Sequence, residues 1–273
     1  MMNYFDNISS EQFQEQHFAF LEIEYKDHVL TLRLDREKKR NALHPQMLNE
    51  IAYVFQYASS QSDIWIVVIE AKGKVFCAGA DLKAFAGIIE PNDSTIPQAN
   101  GDILVGELFN KFYKPTIAKI TGDVYAGGFF FLAGATVVIA QDDVKFGLPE
   151  VKRGIYPFQV MASLLKVMPP RKVVDWCIRG YNLPVKDAER YGLVTEVVSP
   201  GDIDSAVAGI VSELKNNSPS AIRYGLEAYD HIQPSEAEHK YLYDMLQKTI
   251  QTKDGIEGLQ AFREKRKPSW TGE

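Results

Sequence analysis

Apolar and polar positions alternate over residues 18–25 and again over 29–35, with Lys26-Asp27-His28 between them. A period of two broken by three polar residues predicts a β-hairpin. From 41 to 58 the period lengthens: Leu43, Met47, Ile51, Val54, Phe55 and Ala58 fall on one helical face. Residues 64–70 (IWIVVIE) form a short β-branched run between polar turns, the pattern of a strand buried on both faces. A glycine-bearing loop over 71–85 leads toward a helix, and 86–100, with its Pro, Asn, Ser and Asp, reads as a mobile loop. Ile103, Leu104, Leu108, Phe109 and Phe112 predict an amphipathic helix, 116–121 a strand, Gly127-Gly128 the opening of a short apolar helix, and 137–140 a further strand. Strands and helices thus alternate as in an α/β fold with crossovers. Beyond about residue 160 helices dominate, over 161–168, 172–178, 185–191, 202–215, 219–231, 236–252 and 255–265, interrupted by one strand at 193–198. The organisation is a polar lead-in (1–16), an α/β core (17–200) and a C-terminal helical region (201–273). No internal repeat is present.

Composition narrows the function more than the fold. At 273 residues, with 45% hydrophobic and 24% charged, the chain can bury a sizeable core. Thirty basic against 36 acidic residues give a net charge of −6, which argues against a nucleic-acid partner. The two cysteines, Cys77 and Cys177, form no CxxC pair, and with no signal-like layout at the N-terminus they fit a reducing, cytoplasmic setting. No apolar run approaches the roughly 20 residues of a membrane span. His17, His28, His44, His231 and His239 are scattered without metal-ligand spacing, so no metal is expected.

Four segments carry candidate chemistry. In 76–83 (FCAGADLK) small residues allow a ligand close to the backbone, with the Ala80 N–H a possible donor; equally, this is a tight turn capped by Asp81. In 125–129 (YAGGF) paired glycines put bare N–H groups at a helix start, which suits a developing oxyanion or merely close packing. In 146–150 (FGLPE), Glu150 follows Pro149 at a helix start; beside Phe146, Leu148, Ile155, Tyr156 and Phe158 its carboxyl would be pushed up toward the range of a general base. The tail 261–268 (AFREKRKP), like Lys38-Lys39-Arg40, is either a solvated basic end or a contact for an anion.

The order of these segments resembles the crotonase superfamily, the enoyl-CoA hydratase/isomerase family. The resemblance rests on Leu34-Asp35-Arg36 with Asn41-Ala42-Leu43, FCAGADL, YAGG, FGLPEVKRGIYP and EKRKP, and runs from about residue 18 almost to the end. It implies a crotonase-like spiral of stacked strand–strand–helix turns with a C-terminal helical region, acting on an acyl-CoA thioester. Coenzyme A is then part of the substrate, with no separate cofactor. It implies that the backbone N–H groups of Ala80 and Gly127 hold the thioester enolate, and that Ala78, Asp81, Leu82 and Lys83 line the adenine end of CoA. Lys38, Lys39 and Lys265 become candidates for phosphate contacts, and the C-terminal helices are expected to build homotrimers or hexamers.

One departure matters chemically. Hydratases of this family hold a water between two glutamates. The second falls on Glu150, but the position of the first is Phe130. Adding water needs a group for the nucleophile and a proton source for carbon; shifting a double bond needs one base. The expectation is therefore 3-enoyl to 2-enoyl-CoA isomerisation with Glu150 as sole acid/base and Phe130 and Tyr156 beside the substrate. Hydration of a 2-enoyl-CoA, or acyl-CoA binding without catalysis, are the alternatives.

Overall fold

The hairpin forms from its alternating segments. β1 (Leu21–Lys26) pairs antiparallel with β2 (Val29–Leu34), Leu21 facing Leu34 and Lys26 facing Val29. The computed structural model describes residues 4–231 and 237–271. Ahead of the hairpin lies α1 (Ser10–Gln14). The 1–16 segment is more than a polar lead-in: Phe5, Ile8 and Phe13 are buried, and the Phe13 ring stacks on Tyr57 at 3.8 Å. Three apolar side chains among polar ones suffice to dock a segment whose backbone remains in water.

α2 (Pro45–Ser60) begins four residues later than the period suggests. Arg40 and Asn41 have positive φ, and the Asn41 side chain is used up pinning the loop: its Oδ1 accepts from the Arg36 N–H and its Nδ2 donates to the Lys72 and Val75 carbonyls. After α2 the chain turns three times through the same pattern. β3 (Ile66–Ala71) is followed by β4 (Val75–Cys77) and α3 (Leu82–Phe85); β5 (Thr116–Ile120) by β6 (Asp123–Tyr125) and α4 (Phe129–Gly134); β7 (Val137–Gln141) by β8 (Phe146–Gly147), α5 (Phe158–Leu164) and α6 (Pro170–Arg179). The first strand of each turn joins one sheet and the second joins another. Among the described residues the larger sheet has the order β1-β2-β3-β5-β7-β10 and the smaller β4-β6-β8-β9, with β9 at Asn182–Leu183, α7 at Val185–Arg190 and β10 at Glu196–Val198. Pairings between successive turns are parallel. This is the spiral of strand–strand–helix turns that the resemblance implies.

Both faces of the larger sheet are covered, which explains the unbroken apolar run in β3. Val67 and Ile69 enter the main core, while Ile66 and Val68 join Ile117 and Ile139 under Ile203 and Val207 of α8 (Ile203–Lys215). α9 (Pro219–His231), α10 (Ala237–Ile250) and α11 (Lys253–Glu264) complete the helical region; of the helix expected over 236–252, residue 236 lies outside the described residues. Among the described residues no helix is long and apolar enough to cross a membrane.

Two expectations fail here. The helix over 103–112 is absent: only Val105–Glu107 makes a 3-10 turn. Its apolar residues still bury, but on an irregular backbone. Phe109 lies against Phe55 and occupies the space over Gly134, Phe112 packs on Phe55 at 4.7 Å, and Lys111 turns to positive φ. Gly106 inside the segment weakens any helix that would compete with that packing. The loop over 86–100 is mobile by composition, yet its second half is stapled. Asn49 of α2 donates to the Pro97 carbonyl and accepts from the Ala99 N–H, Gln46 donates to Ser94, and His17 and Thr95 exchange hydrogen bonds. Ile96 is buried, whereas Ile88 and Ile89 remain exposed.

Candidate functional site

Two loops at the ends of successive smaller-sheet strands face each other. After β4, Gly79 takes φ +85°, and Leu43 forms a parallel bridge around Ala80: its N–H donates to the Gly79 carbonyl (2.8 Å) and its carbonyl accepts from the Asp81 N–H (3.0 Å). Successive amides of extended chain point to opposite sides, so the Ala80 N–H is directed away from Leu43. After β6, Ala126 takes φ +51° and a 3-10 turn, Ala126–Gly128, leads into α4. The first N–H groups of such a turn have no partner within it. A Cβ added to Gly79 would lie 2.5 Å from the Ala126 Cβ and 3.2 Å from the Gly127 nitrogen. The structure therefore brings Ala80 and Gly127 onto touching loops, an approach that only glycine at 79 permits. The two readings of the glycine pair divide between its members: Gly127 faces the neighbouring loop, while Gly128 is a packing glycine, its place for a Cβ lying 2.9 Å from Val124 and 3.0 Å from the Cys77 carbonyl.

Glu150 opens a 3-10 turn, Glu150–Arg153, that Gly154 closes at φ +73°. Its side chain is only 7% exposed, and its Oε2 is buried without a hydrogen-bond partner. Burial pushes its carboxyl up to about 7, against smaller opposing effects of a backbone N–H and the Arg153 charge. Arg153 does not bond it; its guanidinium lies over the Phe262 ring at 4.4 Å. A solvent-poor, unpaired carboxyl near neutrality is suited to taking and returning a proton. α11 presses on this turn from behind, with Gly258 directly against the Arg153 carbonyl.

The remaining candidates divide. Phe130 is buried on α4, its ring edge 3.6 Å from where a Gly127 Cβ would stand, so an apolar face flanks the donor loop. The Tyr156 hydroxyl lies 3.4 Å from Met161 Sδ, and burial above all pushes it up to about 12. Asp81 is the cap of α3, accepting from the Lys83 and Ala84 N–H groups, and it pairs with Arg36 at 2.7 Å. Burial raises its carboxyl, but Arg36 and the backbone donors outweigh that and hold it below its ordinary value. Its side chain is thus committed within the chain. Lys39, exposed, pairs with Glu90 at 2.7 Å. Ala78 donates to the Arg40 carbonyl, Leu82 is half-buried and Lys83 exposed. Lys265 is exposed at the C-cap of α11 with φ +55°.

Three residues to which the sequence reading gives no role stand at or near the site. Arg36 is buried between Asp81, Glu90 and the Phe20 ring. His44 caps α2 by accepting the Gln46 N–H at Nδ1, leaving a buried Nε2 without a partner; burial, and then the Arg36 charge, lower its pKa. Cys177 sits on α6, 27 positions from Glu150 in the chain, and only the packing of α6 on the 150–153 turn brings it there. No group of three or more potential metal ligands occurs among the described residues.

Comparison with known proteins agrees with this geometry. The family model for enoyl-CoA hydratase/isomerase matches residues 24–273. Mevalonyl-coenzyme A hydratase of Aspergillus fumigatus is 30% identical over 248 residues, covering 89% of this chain and 91% of the relative. Carnitinyl-CoA dehydratase of Escherichia coli K12 is 32% identical over 252 residues, covering 89% and 95%. The crystal structure of carnitinyl-CoA hydratase from Mycobacterium avium superposes with a TM-score of 0.81 at 26% identity, covering 93% of this chain and 99% of that one.

Proposed function

The chain belongs to the enoyl-CoA hydratase/isomerase family of the crotonase superfamily, and on that premise we propose that it forms an enolate from an acyl-CoA thioester with Glu150 as its single carboxylate base, shifting a 3-enoyl double bond to position 2. The observation that carries this reading is the buried Glu150 carboxyl, raised to about 7 and with its Oε2 unpartnered, in a chain that has Phe130 where the resemblance would put a second acid. The thioester carbonyl accepts from the Ala80 and Gly127 N–H groups. Charge that develops on that oxygen is held by donors fixed before the reaction, each worth roughly 10²–10³ in rate. Glu150 removes a proton from carbon 2, the double bond moves, and the same carboxyl returns the proton to carbon 4, so the product has the substrate's mass.

Coenzyme A is part of the substrate, and no separate cofactor enters. Its adenine end lies along 78–83, where backbone and the apolar stem of Leu82 remain available although Asp81 is committed. Lys265 meets phosphate as a point charge. The helical region 201–273 assembles the protein into trimers or hexamers, in the reducing setting that two free thiols fit.

A second reading is hydration of a 2-enoyl-CoA or the reverse dehydration, favoured by the relatives, a mevalonyl-coenzyme A hydratase and a carnitinyl-CoA dehydratase. Purified protein and Glu150→Gln, each given a 3-enoyl-CoA and a 2-enoyl-CoA, separate the two. A double-bond shift without mass change, lost in Glu150→Gln, supports isomerisation. Gain of one water at comparable rate replaces it with hydration. Activity surviving in Glu150→Gln removes Glu150 as the base in both.

A further inference from the structure

The bridge between Leu43 and Ala80 is isolated, outside any strand. Its own hydrogen bonds are the Leu43 N–H to the Gly79 carbonyl at 2.8 Å and the Asp81 N–H to the Leu43 carbonyl at 3.0 Å. A single bridge is a weak tie, and Gly79, at φ +85°, leaves the backbone beside Ala80 with a glycine's freedom. A donor amide has to be held closely in place to act on a developing charge.

The group that supplies the missing hold is Arg36, whose side chain is only 5% exposed. Its Nη1 donates to both chains of the bridge, to the Ala42 carbonyl at 3.1 Å and to Asp81 Oδ2 at 2.7 Å. Ala42 precedes Leu43 and Asp81 follows Ala80, so one nitrogen fastens the two chains at the residues flanking the bridge. Arg36 is itself fixed. Its guanidinium lies over the Phe20 ring at 5.3 Å, its N–H donates to Asn41 Oδ1, and its carbonyl accepts from the Asn41 N–H. The contact from Nη2 to Glu90 is longer, at 3.4 Å, and reaches an exposed carboxylate, so the clamp rests on Nη1. Burying a guanidinium is costly, and an apolar side chain often stabilises such a position as well. An apolar side chain cannot tie two chains in register.

We propose that Arg36 is a positioning residue for the enolate-binding donor: it locks the Leu43–Ala80 bridge so that the Ala80 N–H stays aimed at the thioester oxygen. Arg36 touches no substrate and acts through Asp81 and Ala42. This rests on the reading of Ala80 and Gly127 as donors to that oxygen. A donor aimed where charge develops counts for more in the transition state than in the bound substrate, so losing the aim lowers kcat more than it raises KM.

The test reads the donor spectroscopically. Butyryl-CoA, isotope-labelled at the thioester carbonyl, is bound to the wild type, Arg36→Met, Arg36→Lys and Arg33→Met, and the carbonyl stretch is followed by difference infrared spectroscopy. Exchange of the carbon-2 protons in D₂O gives kcat and KM for the same proteins. Binding to the wild type should move the stretch to lower frequency. Arg36→Met should lose about half of that movement or more and roughly tenfold to 100-fold in kcat, with KM within about threefold of the wild type. Arg36→Lys keeps the charge beside Asp81 on a shorter stem without the planar fork; it should fold even where Arg36→Met does not, and show losses in the same direction. Arg33→Met breaks ion pairs with Glu22 and Glu70 in the larger sheet, so it should lower the thermal midpoint yet leave the carbonyl stretch and kcat unchanged. A full carbonyl shift in the folded Arg36 variants, a loss confined to KM, or an equal loss in Arg33→Met overturns the proposal while leaving the donors in place. A wild type that binds the thioester with no carbonyl shift overturns the donor reading itself, and the role of Arg36 with it.

Discussion

At the scale of single residues, Glu150 couples activity to stability through its desolvation. Its carboxyl rises from 4.5 to about 7 on folding, so the folded protein binds a proton more tightly than the unfolded chain between those values. Stability from this group is greatest below about 4.5 and falls as pH rises toward 7, the total being roughly 3 kcal/mol at 1.36 kcal/mol per unit. Glu150→Gln, neutral at every pH, should therefore be more stable than the wild type at pH 8, by up to about that amount, and nearly equal to it at pH 4.5, as denaturant midpoints will report. Its enolate chemistry should be lost, whereas wild-type turnover should rise with pH through about 7 as the base deprotonates. Gly79→Ala tests the donor loops by geometry instead of charge. The substitution meets both φ +85° and a contact of 2.5 Å with Ala126, so the Ala80 and Gly127 amides must separate. A fall in kcat/KM of roughly 100-fold is expected, comparable to losing one oxyanion donor.

At the scale of elements, α2 anchors three segments that pack around it. Its entry supplies Leu43 to the Ala80 bridge; its body holds the 94–100 segment through Gln46 and Asn49, and the start of the hairpin through Glu50, whose carboxylate accepts from the Ala19 and Phe20 N–H groups. Asn49→Ala removes two hydrogen bonds at once from a buried position. Amide exchange over 94–100 should accelerate well above that of α2 itself, with a global loss of about 2 kcal/mol. Phe13→Ala addresses the N-terminal segment: deleting a buried ring stacked between Tyr53 and Tyr57 should cost roughly 3 kcal/mol. A protein in which 1–16 were only solvated would show no change in thermal midpoint.

At the scale of the whole molecule, a line of charges crosses the larger sheet from edge to helix. Glu22 of β1, Arg33 of β2, Glu70 of β3, Lys119 of β5 and Asp204 of α8 pair in sequence, and Lys72 adds Asp35 to the Glu22 end. Burial raises the Glu70 carboxyl, but Lys119 and Arg33 outweigh it and hold the group below 4.5. For an acid lowered on folding the sign is opposite to that of Glu150: its contribution is present above the ordinary value and is lost as pH falls through the folded one. Glu70→Ala, which strands two cations at a residue only 8% exposed, should destabilise by roughly 3 kcal/mol near pH 7 and by less as the pH falls through the lowered folded value. The two carboxyls thus push the pH optimum of stability from opposite sides. On the proposed assembly, light scattering should give three or six copies. The exposed Tyr224 and Tyr229 on α9, a helix with no buried residue, are the side chains whose change to Glu should lower that number.

Residues 64–70, 116–121 and 137–140 declare themselves as strands because unbroken β-branched runs are the local mark of burial on both faces. The period of 202–215 likewise declares α8. The order of FCAGADL, YAGG and FGLPE put the candidate donors and the candidate base on the chain, and Phe130 was legible as a letter. The sequence by itself therefore determined the strands of the larger sheet, most of the helices, their α/β order and the residue types available for chemistry, but not the short strands of the smaller sheet, since the former depend on neighbours a few positions apart. Tertiary structure alone decided that 103–112 is not a helix, because Phe109 and Phe112 gain more from Phe55 and Gly134 than Gly106 allows a helix to gain. It decided that Asp81 pairs with Arg36 and Lys39 with Glu90, and that Gly127 faces a loop while Gly128 only packs. The reason is physical: desolvation, contact and the pairing of charges are properties of groups brought together from distant parts of the chain, and no local period encodes which groups those are.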